Sequence, residues 1–510
     1  MKKIAAIVAG FLLLAAGVGG YLAKTRLPGI VQERSKNILR ERFHSEIEFG
    51  RFSVSLFPLS ISGEKLVFRH HGRTDVPPLI TISTFAVEGS LIGFLRTPAH
   101  VRAIRLKGLQ IQVPRHHQTN QDQEQKDTAG KSEQPPAKDK YPVVVDEIVA
   151  DDSKLEILPK TADKDPLEFA LHHLNMHSVG LDRSAPFRAA LTNPKPEGEI
   201  ETSGNFGPWQ ADDPGQTPVS GSYTFAHADM ATFKGLTGIL SSAGQYNGIL
   251  ERIVADGETM IPDFGLTISG HTVPLHTRYH AIIDGTNGDT LLQPVDADFL
   301  NTALTATGGV VKVQGIRGKA ISLDVVLNKG RMEDLLRLAV KSDPPPMTGA
   351  IGFHTKFLLP PGDQDVADRL NLDGRFVTTT ASFTSPQPAE KLKALSRRGQ
   401  GKPDEPDAGS EIFNLSGRFR LRNGIIQFTD LNFKVTGAAV QLHGTYGLRS
   451  EAMDFHGTLT LDAKLSQTTT GVKSLFLKMV DPFFAKKGAG AVIPIKVSGT
   501  RDKPSFGLAL

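Results

Sequence analysis

The side chains able to do chemistry are scattered through this chain, and their spacing points away from catalysis. Histidines come as His70-His71, His116-His117 and His172-His173, the last followed by His177. Adjacent residues of a strand face opposite sides, so such a pair rarely serves one metal. The loop Asp284-Gly285-Thr286-Asn287-Gly288-Asp289-Thr290 has acidic oxygens but lacks the alternating Asp/Asn ligands closed by a distal Glu that calcium needs. Its Asn-Gly pair is turn chemistry. Ser62-Gly63-Glu64-Lys65 fits Ser-x-x-Lys without a Lys-Thr-Gly companion. Gly130-Lys131-Ser132 ends like a phosphate loop, but Gln125 stands at its start. Neither His-Glu-x-x-His nor Gly-x-Ser-x-Gly occurs. These residues predict no catalytic site, no metal and no cofactor.

Apolar chemistry is what remains. Phe419 and Leu421 alternate with polar neighbours, Asn423-Gly424 follows, and Phe428, Leu431, Phe433 and Val435 alternate again. Met453, Phe455, Leu459, Leu461, Ala463 and Leu465 continue with period two, as do Ile493, Ile495 and Val497. Strict alternation builds a sheet with one greasy and one wet face, and Asn-Gly between two such runs is a hairpin signal. A greasy face has to be buried against another layer. Phe419, Leu421, Phe428, Phe433, Phe455, Leu459, Leu461, Ile493 and Ile495 are therefore the candidate lining of an apolar groove. A second candidate lies between them, where Phe476, Met479, Phe483 and Phe484 are interleaved with Lys473, Lys478, Lys486 and Lys487. A basic aromatic stretch either docks on a membrane or partner, or plugs the end of the sheet.

The elements that hold these residues can be read from composition. Residues 4–23 carry no charge and are flanked by Lys2-Lys3 and by Lys24 and Arg26. At about 1.5 Å rise per residue they cross a hydrocarbon core of ~30 Å, and the run exceeds the apolar region of a signal peptide. An uncleaved single-pass anchor, residues 1–28 with its flanks, is expected. Residues 29–115 read as a membrane-proximal αβ module. It begins with a helix over 29–43, which lies along headgroups or packs on the first strands. Residues 116–140 are rich in Gln, Asp and Lys and read as a disordered linker. Residues 141–384 are strand-rich, with a helix near 331–341. Residues 385–410 read as a polar linker, and 411–510 as the C-terminal β region.

The chain has 510 residues, with 50 Gly, 32 Pro and one Trp, a composition that suits turn-rich β-structure. A net charge of +4 at this length is too small to suggest a nucleic-acid partner. With no cysteine, disulfides and thiolate metal sites are excluded.

On particular residues the chain resembles the AsmA family, single-span envelope proteins of diderm bacteria. At the N-terminus the resemblance lies in the order of anchor, short helix and the stretches 52–58 and 91–113. At the C-terminus it lies in Phe419-Arg420-Leu421-Arg422-Asn423-Gly424, residues 433–447, Phe455-His456-Gly457 and Leu465-Ser466-Gln467-Thr468. It continues through Val480-Asp481-Pro482-Phe483-Phe484, Ile493-Pro494-Ile495, Ser498-Gly499-Thr500, Pro504 and Phe506-Gly507. Residues 284–290 and Pro346-Met347-Thr348-Gly349 also fit an AsmA-like subgroup. Only the linker and about 192–218 are left uncovered.

The resemblance implies an inner-membrane anchor with the bulk of the chain in the periplasm. It also implies a role in outer-membrane assembly and phospholipid homeostasis, and no enzymatic activity. Larger members resemble bridge-like lipid-transfer proteins with an apolar groove. The expected architecture is mainly β: one transmembrane helix, then an elongated, curved, antiparallel-rich sheet shaped like a groove, with few short helices. Phospholipid acyl chains and envelope proteins are the expected partners. The alternative is a structural or regulatory protein that acts on membrane-protein assembly without binding lipid.

The anchor expectation is checked by the intact mass of the mature chain. That mass should retain residues 4–23, and a mature chain beginning near Lys24 refutes it.

Overall fold

A computed structural model describes residues 46–48, 50–56, 59–69, 80–89, 99–113, 143–157, 167–180, 183–210, 214–313, 318–402, 404, 411–463 and 491–508. Residues 4–23, the helix expected over 29–43, the linker 116–140, and Phe476, Met479, Phe483 and Phe484 lie outside them. No helix among the described residues is long and apolar enough to cross a membrane. Strand is the dominant element, as the alternation requires. The chain divides into two compact units, one of residues 1–228, 241–257 and 282–290, the other of 229–240, 258–281 and 291–510.

The first unit opens with β1 (Glu46–Glu48), β2 (Phe52–Leu56), β3 (Leu59–Arg69), β4 (Ile80–Gly89) and β5 (Ala99–Val113). It continues with β6 (Val143–Ile157), β7 (Leu167–Val179), β8 (Ala185–Pro194), β9 (Glu197–Phe206) and β10 (Pro218–Asp229). From β2 to β10 each strand pairs with the next. All of these pairs are antiparallel except β5 with β6, which run parallel, Ala99 opposite Val143 and Val113 opposite Ile157. β11 (Leu236–Thr237), β12 (Ile239–Ile249), β13 (Arg252–Leu266), β14 (Thr272–Ile283) and β15 (Thr290–Phe299) come next in the chain.

The second unit holds β16 (Thr302–Lys312), β17 (Lys319–Arg331), β18 (Met347–Leu359), β19 (Asn371–Val377), β20 (Thr380–Phe383) and β21 (Ile412–Arg422). After them come β22 (Ile425–Val435), β23 (Ala438–Gly447), β24 (Ala452–Leu461), β25 (Ala491–Thr500) and β26 (Lys503–Leu508). They form an antiparallel meander in which β19 lies between β18 and β21, and the short β20 bridges the same two strands. The Asn-Gly signal is realised between β21 and β22. Asn423 (φ 50°) and Gly424 (φ 71°) both take the left-handed conformation that the tight hairpin turn requires, and Arg422 pairs with Ile425.

Three short α-helices accompany the strands among the described residues, α1 (Met332–Ala339), α2 (Val366–Arg369) and α3 (Pro386–Gly399). α1 falls inside the expected 331–341. Its early acids do more than oppose the helix dipole. Asp334 is buried and accepts from the Asn301 amide at 2.9 Å and the Thr302 hydroxyl at 2.8 Å. Glu333 accepts from the Gly349 amide at 3.0 Å and from Arg331 Nε at 2.8 Å.

α3 corrects the expectation of a polar linker over 385–410. Its Lys and Arg residues hid a one-sided stripe of Leu392, Leu395 and Ser396, spaced for one helix face. Leu392 and Ser396 are buried, and the Ser396 hydroxyl donates to the Thr436 carbonyl at 2.7 Å. Gly399 lies so near Gly437 that an added Cβ would stand 2.4 Å from the Gly437 oxygen. α1 and α3 close a core of Met332, Ala381, Leu392, Ile412, Leu415, Val435, Ala438, Leu461 and Ala491.

α2 is fastened differently. Arg449, in the β23–β24 turn, donates through Nε and Nη2 to both Asp368 oxygens at 2.9 Å, and Nη2 also meets Asp365 at 2.9 Å. The Arg449 hydrogen bonds hold the Asp368 carboxyl below the usual carboxylate range, against a smaller opposing effect of burial.

Leu392→Ala should lower stability by about 2–5 kcal/mol, as buried leucine truncations do. It should show as a lower urea midpoint and faster amide exchange in α3. The Asp368 contribution has a fixed sign. Its folded pKa is depressed, so the stabilisation is present above the unfolded value near 4 and is lost as pH falls through the folded value. Arg449→Gln should therefore cost about 1 kcal/mol at neutral pH, a modest figure because both partners are partly exposed. The gap to wild type should close in urea titrations at the lowest pH.

Candidate functional site

Register decides which side chains share a face, because a slip of one residue moves every side chain to the other side. In the second unit Gly374, Phe419, Phe428, Gly444, Phe455, Val497 and Phe506 are successive cross-strand partners from β19 to β26. Rows parallel to it run through Leu421, Ile426 and Tyr446, through Phe433, Val440, Leu459 and Ile493, and through Gly457, Ile495 and Leu508. Val435, Ala438, Leu461 and Ala491 complete the set. All nine sequence-chosen lining residues thus lie on one face of the sheet.

The opposite face is wet. Arg420 meets its cross-strand partner Asp373 at 2.9 Å, and Lys496 and His456 meet Asp454 at 3.2 and 3.3 Å.

Cover divides the apolar face. Phe433, Leu459, Leu461 and Ile493 belong with the core under α1 and α3, so their places are already filled by protein. Leu421 and Phe455 are buried, while Phe419, Phe428 and Ile495 are half-buried. The rings form a run, with centroids of Phe376 and Phe419 at 6.3 Å, Phe376 and Phe428 at 6.4 Å, and Phe428 and Phe455 at 5.9 Å. At β26 the face ends open, with Phe506 60% and Leu508 59% exposed. The Lys391 ammonium of α3 stands 4.8 Å over the Phe506 ring.

Aromatic rings lie over glycines of neighbouring strands. A Cβ added to Gly444 would stand 2.8 Å from the Phe455 ring, and one added to Gly417 would stand 3.0 Å from Phe376. The ring supplies the apolar cover that the glycine lacks, and the glycine leaves room for the ring to lie flat.

No family model and no curated protein matches the chain.

The chemistry of the faces therefore carries the functional reading. In the first unit one ladder row runs Phe85, Leu106, Ala150, Leu174, Ala189, Thr202 and Tyr223. Its neighbour runs Val87, Ile104, Ile148, Met176, Phe187, Gly204 and Gly221. From β4 to β8 these rows are apolar throughout. From β9 onward hydroxyls appear: Tyr223 Oη lies 3.1 Å from Ser242 Oγ, and Tyr246 Oη 2.7 Å from Thr202 Oγ1. Burial pushes both phenols above their ordinary pKa, with the hydroxyl partners pulling the other way, so both are neutral at pH 7. The sequence reading passed over this pair. Its signal was the repeated Gly221-Ser222-Tyr223 and Gly244-Gln245-Tyr246, whose tyrosines reciprocally lie over each other's glycine, with added Cβ atoms 2.9 Å from Tyr223 and 2.8 Å from Tyr246.

The other chemistry-bearing residues are engaged locally. Asp284 accepts from the Thr286 amide and hydroxyl and from the Asn287 side chain, which is turn chemistry, and the Gly285 amide donates to the Leu250 carbonyl at 2.8 Å. His172 pairs with Thr192 and His173 with Asp151, both at 2.7 Å. A bulge between Leu171 and His173 leaves both rings exposed, instead of on opposite faces of a regular strand. No cluster of three metal-ligand side chains occurs among the described residues.

Phe455→Leu keeps apolar character but strips the ring from Gly444. It should cost about 1 kcal/mol, with Phe455→Ala costing about 3–5. Urea titration of both variants checks the order.

Proposed function

We propose that this chain is an inner-membrane-anchored envelope protein of the AsmA type, with its body in the periplasm, and that its apolar sheet faces accommodate phospholipid acyl chains. The observation that supports the reading best is the row from Phe419 through Phe428 and Phe455 to Phe506. It is continuous across the strands, uncharged, and open to solvent at β26. The uncharged run 4–23 and the resemblance of the C-terminal segments supply the membrane and the compartment.

Physical magnitudes show what such a face is good for. At ~0.8 kcal/mol per CH₂, exposing two sixteen-carbon chains to water costs on the order of 25 kcal/mol. A face that replaces water along the chain removes most of that barrier, at about 25 cal/mol per Å² of apolar surface covered. Apolar rows of this kind suit holding or conducting lipid, within outer-membrane assembly or phospholipid homeostasis.

One observation favours the rival reading. α1 and α3 already cover the Leu461 end of the face, as in a self-closed body that acts on envelope membrane proteins.

Photoreactive residues placed at Phe428, Ile495 and Phe506 of the full chain in cells separate the two. Phospholipid adducts are expected at all three and not at Thr445, which pairs with Gln427 and Asp454 on the wet face. A folded chain without adducts at any of the three leaves the structural role.

A further inference from the structure

The first unit's ladder row changes chemistry part-way along. Between Leu106 on β5 and Ala189 on β8 it presents only hydrocarbon, and at Thr202 on β9 and Tyr223 on β10 it presents hydroxyls. The hydroxyls form an ordered set. Thr202 Oγ1 donates to the Ser222 carbonyl at 2.9 Å, so the Tyr246 hydroxyl donates to Thr202 and keeps its lone pairs for another partner. Tyr223 and Ser242 form the second pair. The charges of β9 lie on the other side, since Glu199 and Glu201 pair with Ala226 and Thr224 while Ile200 and Thr202 pair with Phe225 and Tyr223. The hydroxyl band is thus neutral and half-buried, and it borders apolar rows on the same face that are half-buried at Leu106, Leu174 and Ala189 and buried at Ile104, Ile148 and Ala150.

We propose that this band, centred on Thr202, Tyr223, Ser242 and Tyr246, binds the glycerol-ester linkage of a diacyl lipid whose chains lie over β5 to β8. The inference rests on the acyl-chain reading and adds to it the part of the lipid that is recognised. Length supports the placement. β5 to β9 is four strand spacings, about 19 Å at ~4.8 Å each, and one acyl layer of a ~30 Å hydrocarbon core is about 15 Å. Chemistry disfavours the charged head in this place, because β9, β10 and β12, which carry the band, hold no Lys or Arg to meet a phosphate. Ester and glycerol oxygens are neutral, and hydroxyls that rotate can exchange an internal hydrogen bond for one to the ligand. Hydrocarbon alone would leave the hydroxyls without that exchange, so the band favours a lipid with a polar linkage over a plain alkane.

The test uses the full chain in detergent with two photoreactive probes, a diacyl phosphatidylcholine and a long alkane. The variant is Tyr223→Phe with Tyr246→Phe, which keeps both aromatic rings, that of residue 223 over Gly244 included, and removes only the two hydroxyls. Phospholipid adducts should fall about three- to tenfold, the scale of one lost hydrogen bond, while alkane adducts stay unchanged. A diazirine beside the ester should label residues 200–206, 219–225 and 242–248, and one at the chain end should label β5 to β8. Should the double variant fail to fold, Thr202→Val with Ser242→Ala tests the same hydroxyls. Adducts of both probes falling together, or neither falling, overturns the linkage site and leaves the acyl reading standing. Wild type taking up neither probe overturns both.

Discussion

Because side chains alternate along a strand, a slip of one residue between β21 and β22 would carry Phe428 to the side of Arg420 and Gln427. Every later strand in the meander would inherit the fault. Much of the local chemistry works against that slip. Asn423 and Gly424 fix the β21–β22 turn with two left-handed residues. Arg420 on Asp373 and Lys496 on Asp454 tie neighbouring strands from the wet side. These surface pairs add little stability individually, but each is available in one register only, so they specify pairing more than they strengthen it. The apolar face is the product of that specification.

The ring-over-glycine pairs solve a second problem of the same sheet. On the proposed acyl-chain reading, the face has to be apolar yet not so bulky that its own side chains fill it. Phe455 over Gly444 and Phe376 over Gly417 give two strands the cover of one large side chain. The reciprocal Tyr223/Gly244 and Tyr246/Gly221 arrangement does the same while presenting hydroxyls. Where bulk is wanted instead, at the Leu461 end, helices α1 and α3 are laid on top.

How much of this was legible depended on whether the signal was local. Period-two alternation in 419–435 and 453–461 placed the strands and their greasy side, because each strand carries its own pattern. The Asn423-Gly424 turn and α1 were legible for the same reason. α3 was not, because four basic residues, Lys391, Lys393, Arg397 and Arg398, outweigh Leu392 and Leu395 in any average, and only the covered face reveals their spacing. The partition of the nine lining residues into covered and uncovered groups was also hidden. Leu461 and Phe428 look alike in sequence, and they differ only in whether a distant helix lies above them. The tyrosine pairs required knowing that β10 and β12 bring two Gly-x-Tyr repeats together in opposite directions.

The parallel pairing of β5 with β6 has a further consequence, one of tether length. Elsewhere in these meanders a strand hands over to its neighbour at the same end, where a short turn suffices. Here Val113 ends beside Ile157, and the chain must regain Val143 opposite Ala99, a return of about 46 Å along a fifteen-residue strand at ~3.3 Å per residue. About 14 extended residues are the least that can span it, so residues 114–142 carry roughly twice the necessary length. Their number therefore has a lower bound. Cutting the connection below that limit would force β6 to turn back as a hairpin. It would then meet β5 in the reverse direction, and every ladder row that crosses the two strands would lose its alignment.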